Sequence, residues 1–143
     1  MDAEIKRSII LDNYQDAKNR GIPSEDGYIK INSNNDSCID NIDIYVKLNN
    51  NIIEDIKFEG EACVIAISST SILSDMLIGK NISKAEEILK NYYNMIEEQE
   101  YDRELLEEAC VYDDIYKQPS RKTCVTLFAR GIEKVISSKE NNI

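Results

Sequence analysis

Four cysteines, Cys38, Cys63, Cys110 and Cys124, and no histidine anywhere in 143 residues limit the chemistry open to this chain. Without an imidazole there is no Ser-His or Cys-His nucleophile pair and no histidine-metal site. Thiol and carboxylate chemistry remains. Cys38 ends a polar run, Asn32-Ser33-Asn34-Asn35-Asp36-Ser37, Cys63 opens an apolar segment that reads as a helix, and Cys124 lies near the expected start of the last helix. A helix N-terminus lowers a thiol's pKa through its partial positive charge and unpaired amides, so Cys63, and with it Cys124, is expected where thiolate is favoured. Three thiolates and Asp40, two residues beyond Cys38, make a tetrahedral zinc set. Ordinary buried cysteines have the same look, because no paired Cys-x2-Cys knuckle marks a metal site here. Cys110 reads as a buried side chain. A calcium loop starting at Asn32-x-Asn34-x-Asp36 fails at its sixth position, Ser37 rather than Gly, and at its twelfth, Asp43 rather than Glu.

Charge narrows the partners. Against 17 Lys and Arg stand 27 Asp and Glu, a formal net charge of −10, and no run of Lys or Arg exceeds two residues. Nothing here neutralises a row of phosphates, so neither nucleic acid nor an anionic membrane is expected as a partner. Such a surface is drawn to a basic patch on another protein, or simply keeps the chain in solution. The N-terminal residues hold Asp2, Glu4, Lys6 and Arg7 rather than an apolar signal, and no stretch approaches 18 apolar residues. The expectation is one domain over residues 1–143 in the cytoplasm, where thiols stay reduced.

The elements that must position these groups follow from periodicity. Ile5, Ile9, Ile10 and Tyr14 recur at helical spacing and predict a first helix ending before Asn19-Arg20-Gly21. Pro23 and Gly27 mark a loop. Ile42, Ile44, Val46 and Leu48 alternate with Asp43, Tyr45 and Lys47, the period of a half-buried strand. Asn49-Asn50-Asn51 tolerates left-handed backbone, and Ile52, Ile56 and Phe58 predict the returning strand of an antiparallel hairpin. Tyr28 to Ile31 adds a third strand. Beyond Gly60 the pattern turns helical: a buried helix over Cys63 to Leu77, another over Lys84 to Ile96 opened by a Ser83/Glu86 capping box, a short one at Leu105, Leu106 and Ala109, and a last one started by Pro119. The acidic stretch from Glu97 to Glu108 reads as a solvated face. The fold class is α+β: an N-terminal helix and a small three-stranded antiparallel sheet packed against a C-terminal set of helices.

Order and context add to this. Asn19-Arg20-Gly21, Asn34-Asn35-Asp36-Ser37-Cys38-Ile39-Asp40, Phe58-Glu59-Gly60-Glu61-Ala62-Cys63 with Ser68-Ser69-Thr70-Ser71, and Pro119-Ser120-Arg121-Lys122-Thr123-Cys124 resemble the iron-sulfur cluster assembly family that includes the SufU and IscU scaffold proteins. The resemblance runs from about residue 9 to residue 136 and favours the SufU branch. That branch carries extra residues before its third cysteine and an Arg three residues ahead of it, here Arg121. Asp36, Ile39 and Ala62 stand where family members usually have Pro, Gly and Gly, so the presenting loops differ. The resemblance implies zinc held by Cys38, Asp40, Cys63 and Cys124, with Cys38 accepting persulfide sulfur from a cysteine desulfurase of the SufS type and Arg121 in support. It further implies that the desulfurase offers a histidine to the zinc, which fits a chain that has none, and that sulfur moves on to downstream cluster scaffold proteins. A scaffold for a [2Fe-2S] cluster on the same residues, or zinc with a purely structural role, are the alternative readings.

Overall fold

A computed structural model describes residues 1–36 and 39–140; Ser37 and Cys38 lie outside the described residues, and so does the expectation placed on Cys38. Helix α1 (Ala3–Gln15) begins at Asp2, whose carboxylate accepts the Ile5 N–H at 2.9 Å. Three strands follow, β1 (Ile29–Asn34), β2 (Asn41–Asn49) and β3 (Ile52–Glu61), antiparallel and in that spatial order. The Asn50-Asn51 turn between β2 and β3 has positive φ at both residues, 51° and 68°, the mirror-image turn whose twist matches a two-residue hairpin. A register shift at Lys47/Leu48 corrects one expectation: Ile53 rather than Ile52 reaches the core, because the extra residue inverts the alternation there. β1 also runs further than expected, to Asn34, so half of the polar run before Cys38 is strand rather than loop.

The remaining helices are α2 (Val64–Leu77), α3 (Ile82–Ile96), α4 (Arg103–Leu106), α5 (Lys122–Val125) and α6 (Leu127–Glu140), with 3-10 turns over Glu107–Tyr112, Ile115–Lys117 and Pro119–Arg121. Asn81, not Ser83, caps α3, its side chain accepting the Lys84 N–H at 2.7 Å. Asn81 also bridges to Ile52, which fixes it at the helix start. The expected last helix is broken in two at Thr126, so Cys124 occupies a single helical turn rather than the head of a long helix.

α1 packs on α2, and α6 crosses β1 and β2. The Ser68-Ser69-Thr70-Ser71 run is fully buried, and its hydroxyls are satisfied locally or across the interface: Ser71 Oγ donates to Asn13 Oδ1 at 2.8 Å and accepts the Lys18 N–H at 2.8 Å. Small hydroxylated residues thus let the chain before β1 lie close against α2. Asn19-Arg20-Gly21 pairs along the outer edge of β3, with Gly21 N–H donating to Phe58 O at 2.7 Å and Phe58 N–H to Asn19 O at 3.1 Å. Arg20 adds a cation–π contact 5.6 Å from the Phe58 ring centroid and donates to Gly60 O. That motif covers the free edge of the strand leading into Cys63.

α6 meets the sheet at Gly131. A Cβ there would lie 2.5 Å from Ile44 Cδ1 and 3.0 Å from Ser33 Cβ, and Ser33 Oγ donates to Leu127 O at 2.7 Å across the same contact. Gly131→Val is therefore expected to cost about 2 kcal/mol, an overpacking cost in a core where Ile44 is wholly buried. Urea unfolding with an unchanged midpoint would contradict it. Among the described residues no helix is long and apolar enough to cross a membrane.

Candidate metal centre

The sheet and α2 bring Asp40, Cys63 and Cys124 together: one ligand atom from each lies within 4.8 Å of the others. Asp40 sits just ahead of β2, Cys63 is the N-cap of α2 in extended conformation, and Cys124 lies in α5. Asp40 is 1% exposed, which sets it apart from the solvated turn aspartate its sequence neighbourhood suggests. Its Oδ1 accepts the Cys63 N–H at 2.8 Å, and its Oδ2 accepts the Asn35 side-chain amide at 3.1 Å and lies 3.8 Å from Cys63 Sγ. A buried carboxylate needs such donors, since burying it unpaired is costly.

Asn35 also donates its backbone N–H to Asp40 O at 3.0 Å, so one residue grips Asp40 by both main chain and side chain. Sequence inspection passes over Asn35, whose only signal is its place in the Asn34-Asn35-Asp36 run.

The electrostatics of Cys124 correct a further expectation. Burial, followed by its interactions with Cys63 and Asp40, pushes the Cys124 thiol up to about 12. A single turn supplies no helix-end charge to offset two electron-rich neighbours. Thiols and a carboxylate crowded in this way repel one another as anions, and a divalent cation relieves that repulsion. The donor set fits zinc: two soft sulfurs and one oxygen within reach of a single ion, where zinc bond lengths of about 2.0–2.3 Å place neighbouring ligands about 3.4–3.8 Å apart. A fourth ligand is required for closure, and the described residues contribute three.

Arg121 is exposed in the 3-10 turn ahead of Cys124. Cys110 is buried away from the cluster, its Sγ 3.5 Å from Arg103 O, as its reading as a core side chain expects. Ile39 points outward at 72% exposure, and Ala62 holds its place without positive φ, so the alanine adds no left-handed strain at the approach to Cys63.

Comparison with known proteins is consistent with this geometry. Residues 5–125 match the model of the NifU-like N-terminal domain. A zinc-dependent sulfurtransferase, SufU of Bacillus subtilis, is 33% identical over 135 residues, 94% of this chain and 90% of that protein. An iron-sulfur cluster assembly scaffold protein, IscU of Thermotoga maritima, is 28% identical over 127 residues, 89% of each. The crystal structure of a putative iron-sulfur cluster assembly scaffold protein for the SUF system from Fervidobacterium islandicum superposes with a TM-score of 0.80 at 26% identity, over 92% of this chain and 97% of that one.

Proposed function

Since the chain belongs to the NifU-like N-terminal domain family of iron-sulfur cluster assembly proteins, we propose that it is a zinc-dependent carrier of persulfide sulfur within that process. The observation that supports this best is the burial of Asp40 beside Cys63 and Cys124, three metal-binding groups drawn from three separate elements. In this reading Cys38 is the fourth ligand and the sulfur acceptor, and its partner is a cysteine desulfurase of the SufS type. Zinc, when bound, stabilises the thiolate form of its cysteine ligands at neutral pH.

The chain's own residues then divide the work. Cys63 and Cys124, held by the head of α2 and by α5, would hold the ion as soft ligands, and Asp40 would supply the hard oxygen ligand. The Cys38 thiolate attacks the terminal sulfur of the desulfurase persulfide. A new sulfur–sulfur bond forms to Cys38, the desulfurase cysteine leaves as thiolate, and the transfer needs no external oxidant or reductant. Arg121, exposed in the turn three residues ahead of Cys124, takes the supporting role that the family resemblance gives it. Downstream scaffold proteins receive the sulfur.

A desulfurase assay tests the reading. Cysteine turnover by the desulfurase is expected to rise when the chain is added, to stay at its unstimulated rate with Cys38→Ala, and to rise as before with Cys110→Ala. No stimulation by the unmutated chain would refute sulfur transfer, and equal loss in both variants would remove Cys38 as the acceptor. The scaffold reading, favoured by the name of the Thermotoga relative, makes a different optical prediction. A brown protein with iron and sulfide supports it, whereas a colourless protein with one zinc supports the carrier.

A further inference from the structure

Arg130 lies on α6, six residues beyond Cys124 and outside the metal-binding trio, yet its guanidinium reaches two of the three chain segments that carry ligands. Nη2 donates to Asn35 Oδ1 at 2.6 Å and to Thr123 O at 2.7 Å, and Nε donates to Thr126 Oγ1 at 3.2 Å. Thr126 Oγ1 in turn donates to Lys122 O at 2.7 Å. Thr123 immediately precedes Cys124, and Asn35 grips Asp40. We propose that Arg130, acting through the Asn35 amide and the Thr123 carbonyl, is a positioning residue of the metal centre that sets Asp40 and the Cys124 turn in place for the ion. This inference rests on the metal reading above and adds the device that orients its ligands.

The chemistry of the amide fixes the direction of the chain of bonds. Asn35 Nδ2 faces a carboxylate oxygen and, at 3.3 Å, the Thr123 carbonyl, both of which only accept. Its Oδ1 must therefore face the guanidinium, which only donates. One orientation of Asn35 satisfies every neighbour, and Arg130 selects it. The guanidinium's charge polarises the amide, which strengthens donation by Nδ2 to Asp40 Oδ2. With Oδ2 held by Asn35 and Oδ1 by the Cys63 N–H, the carboxylate cannot rotate freely, and the directions in which it offers lone pairs to a metal are set before the metal arrives. Arg130 thereby couples two loops that are 88 residues apart in sequence between Asn35 and Thr123.

The test uses the full chain with zinc and with cobalt as a spectroscopic substitute. Zinc affinity is measured by competition with a chelator, the cobalt absorption bands report ligand geometry, and urea unfolding of chelator-treated protein reports the fold. Arg130→Met keeps the aliphatic stem and removes all donors. It is expected to weaken zinc binding by about 10- to 100-fold, the usual effect of losing an outer-shell partner, and to shift the cobalt bands. Arg130→Lys, which restores the charge and a single donor nitrogen, is expected to recover part of the affinity. Lys134→Met, one turn further along α6, should change neither. Zinc affinity within about threefold of the unmutated chain with an unaltered cobalt spectrum would overturn the inference. So would a loss of affinity that came with an unaltered spectrum and a matching fall in chelator-treated stability. If the unmutated chain binds neither zinc nor cobalt, the metal reading itself fails and takes this one with it.

Discussion

Cys124→Ala is expected to bind zinc at least about 100-fold more weakly than the unmutated chain, a larger loss than removing an outer-shell partner, because in the proposed reading a ligand itself is deleted. Cys110→Ala should keep its zinc. Both cysteines are buried, so a nonspecific consequence of opening a small void would appear in both variants, and only the cluster member should release the metal. Equal zinc content in the two, measured by elemental analysis after gel filtration, would exclude Cys124 as a ligand. The same residue contributes to the pH behaviour. In chelator-treated protein the folded Cys124 thiol is raised to about 12, above the roughly 8.5 of an exposed thiol, so the fold holds this proton more tightly than the unfolded chain does. That contribution to stability is present in full below about pH 8.5 and is lost as pH rises from there towards about 12. Urea midpoints of chelator-treated protein should therefore fall over that window, and the fall should be smaller in Cys124→Ala, where the Cys110 thiol and the Tyr28 and Tyr112 phenols, also raised, still contribute. Zinc binding has the opposite requirement, since its ligands must shed protons, and its apparent affinity should fall as pH falls.

Gly60→Ala is expected to be the most damaging single methyl group in the chain. Gly60 has φ of +140°, and a Cβ built there would collide with Asn41 O and lie 2.9 Å from Ile42 Cα. Those are backbone atoms of β2, so no rotamer change relieves the contact, and Arg20 holds the Gly60 carbonyl from the other side. Strain at such a φ costs about 1–3 kcal/mol, and separating the paired strand ends adds to it. A total of about 3 kcal/mol or more is expected in urea unfolding. The damage should also reach the metal, because Asn41 follows Asp40 and Gly60 stands three residues before Cys63. Zinc affinity should fall together with stability. A Gly60→Ala chain with an unmoved midpoint would show that the strands can separate there without loss.

Much of the architecture was legible because it is local. Strict alternation over Ile42 to Leu48 and two asparagines suited to positive φ specify the hairpin, and the helical periods of α1, α2 and α3 are written in runs free of Gly and Pro. The errors also have local causes. Unbroken alternation places Ile52 inward, and the register shift at Lys47/Leu48, which has no compositional mark, turns it outward. Ser83 resembled a cap, but Asn81 is fixed at the helix start by its bridge to Ile52, a contact between elements 29 residues apart.

Residue types alone limit the chemistry to thiols and carboxylates. Without histidine, ligation falls to thiolates and carboxylates, and it is the resemblance in residue order that singles out Cys38, Asp40, Cys63 and Cys124 and points to the family that the matched domain shows. The burial of Asp40, the upward shift of the Cys124 pKa, and the reach of Asn35 and Arg130 to the site come from the packing of distant segments. The physical reason is the same in each case. Composition and periodicity report a residue's own element, whereas desolvation and hydrogen-bond orientation depend on what the rest of the chain brings against it. At this centre the strands, α2, α5 and α6 all converge on Asp40 and Cys124, and none of those approaches is encoded within the residues they surround.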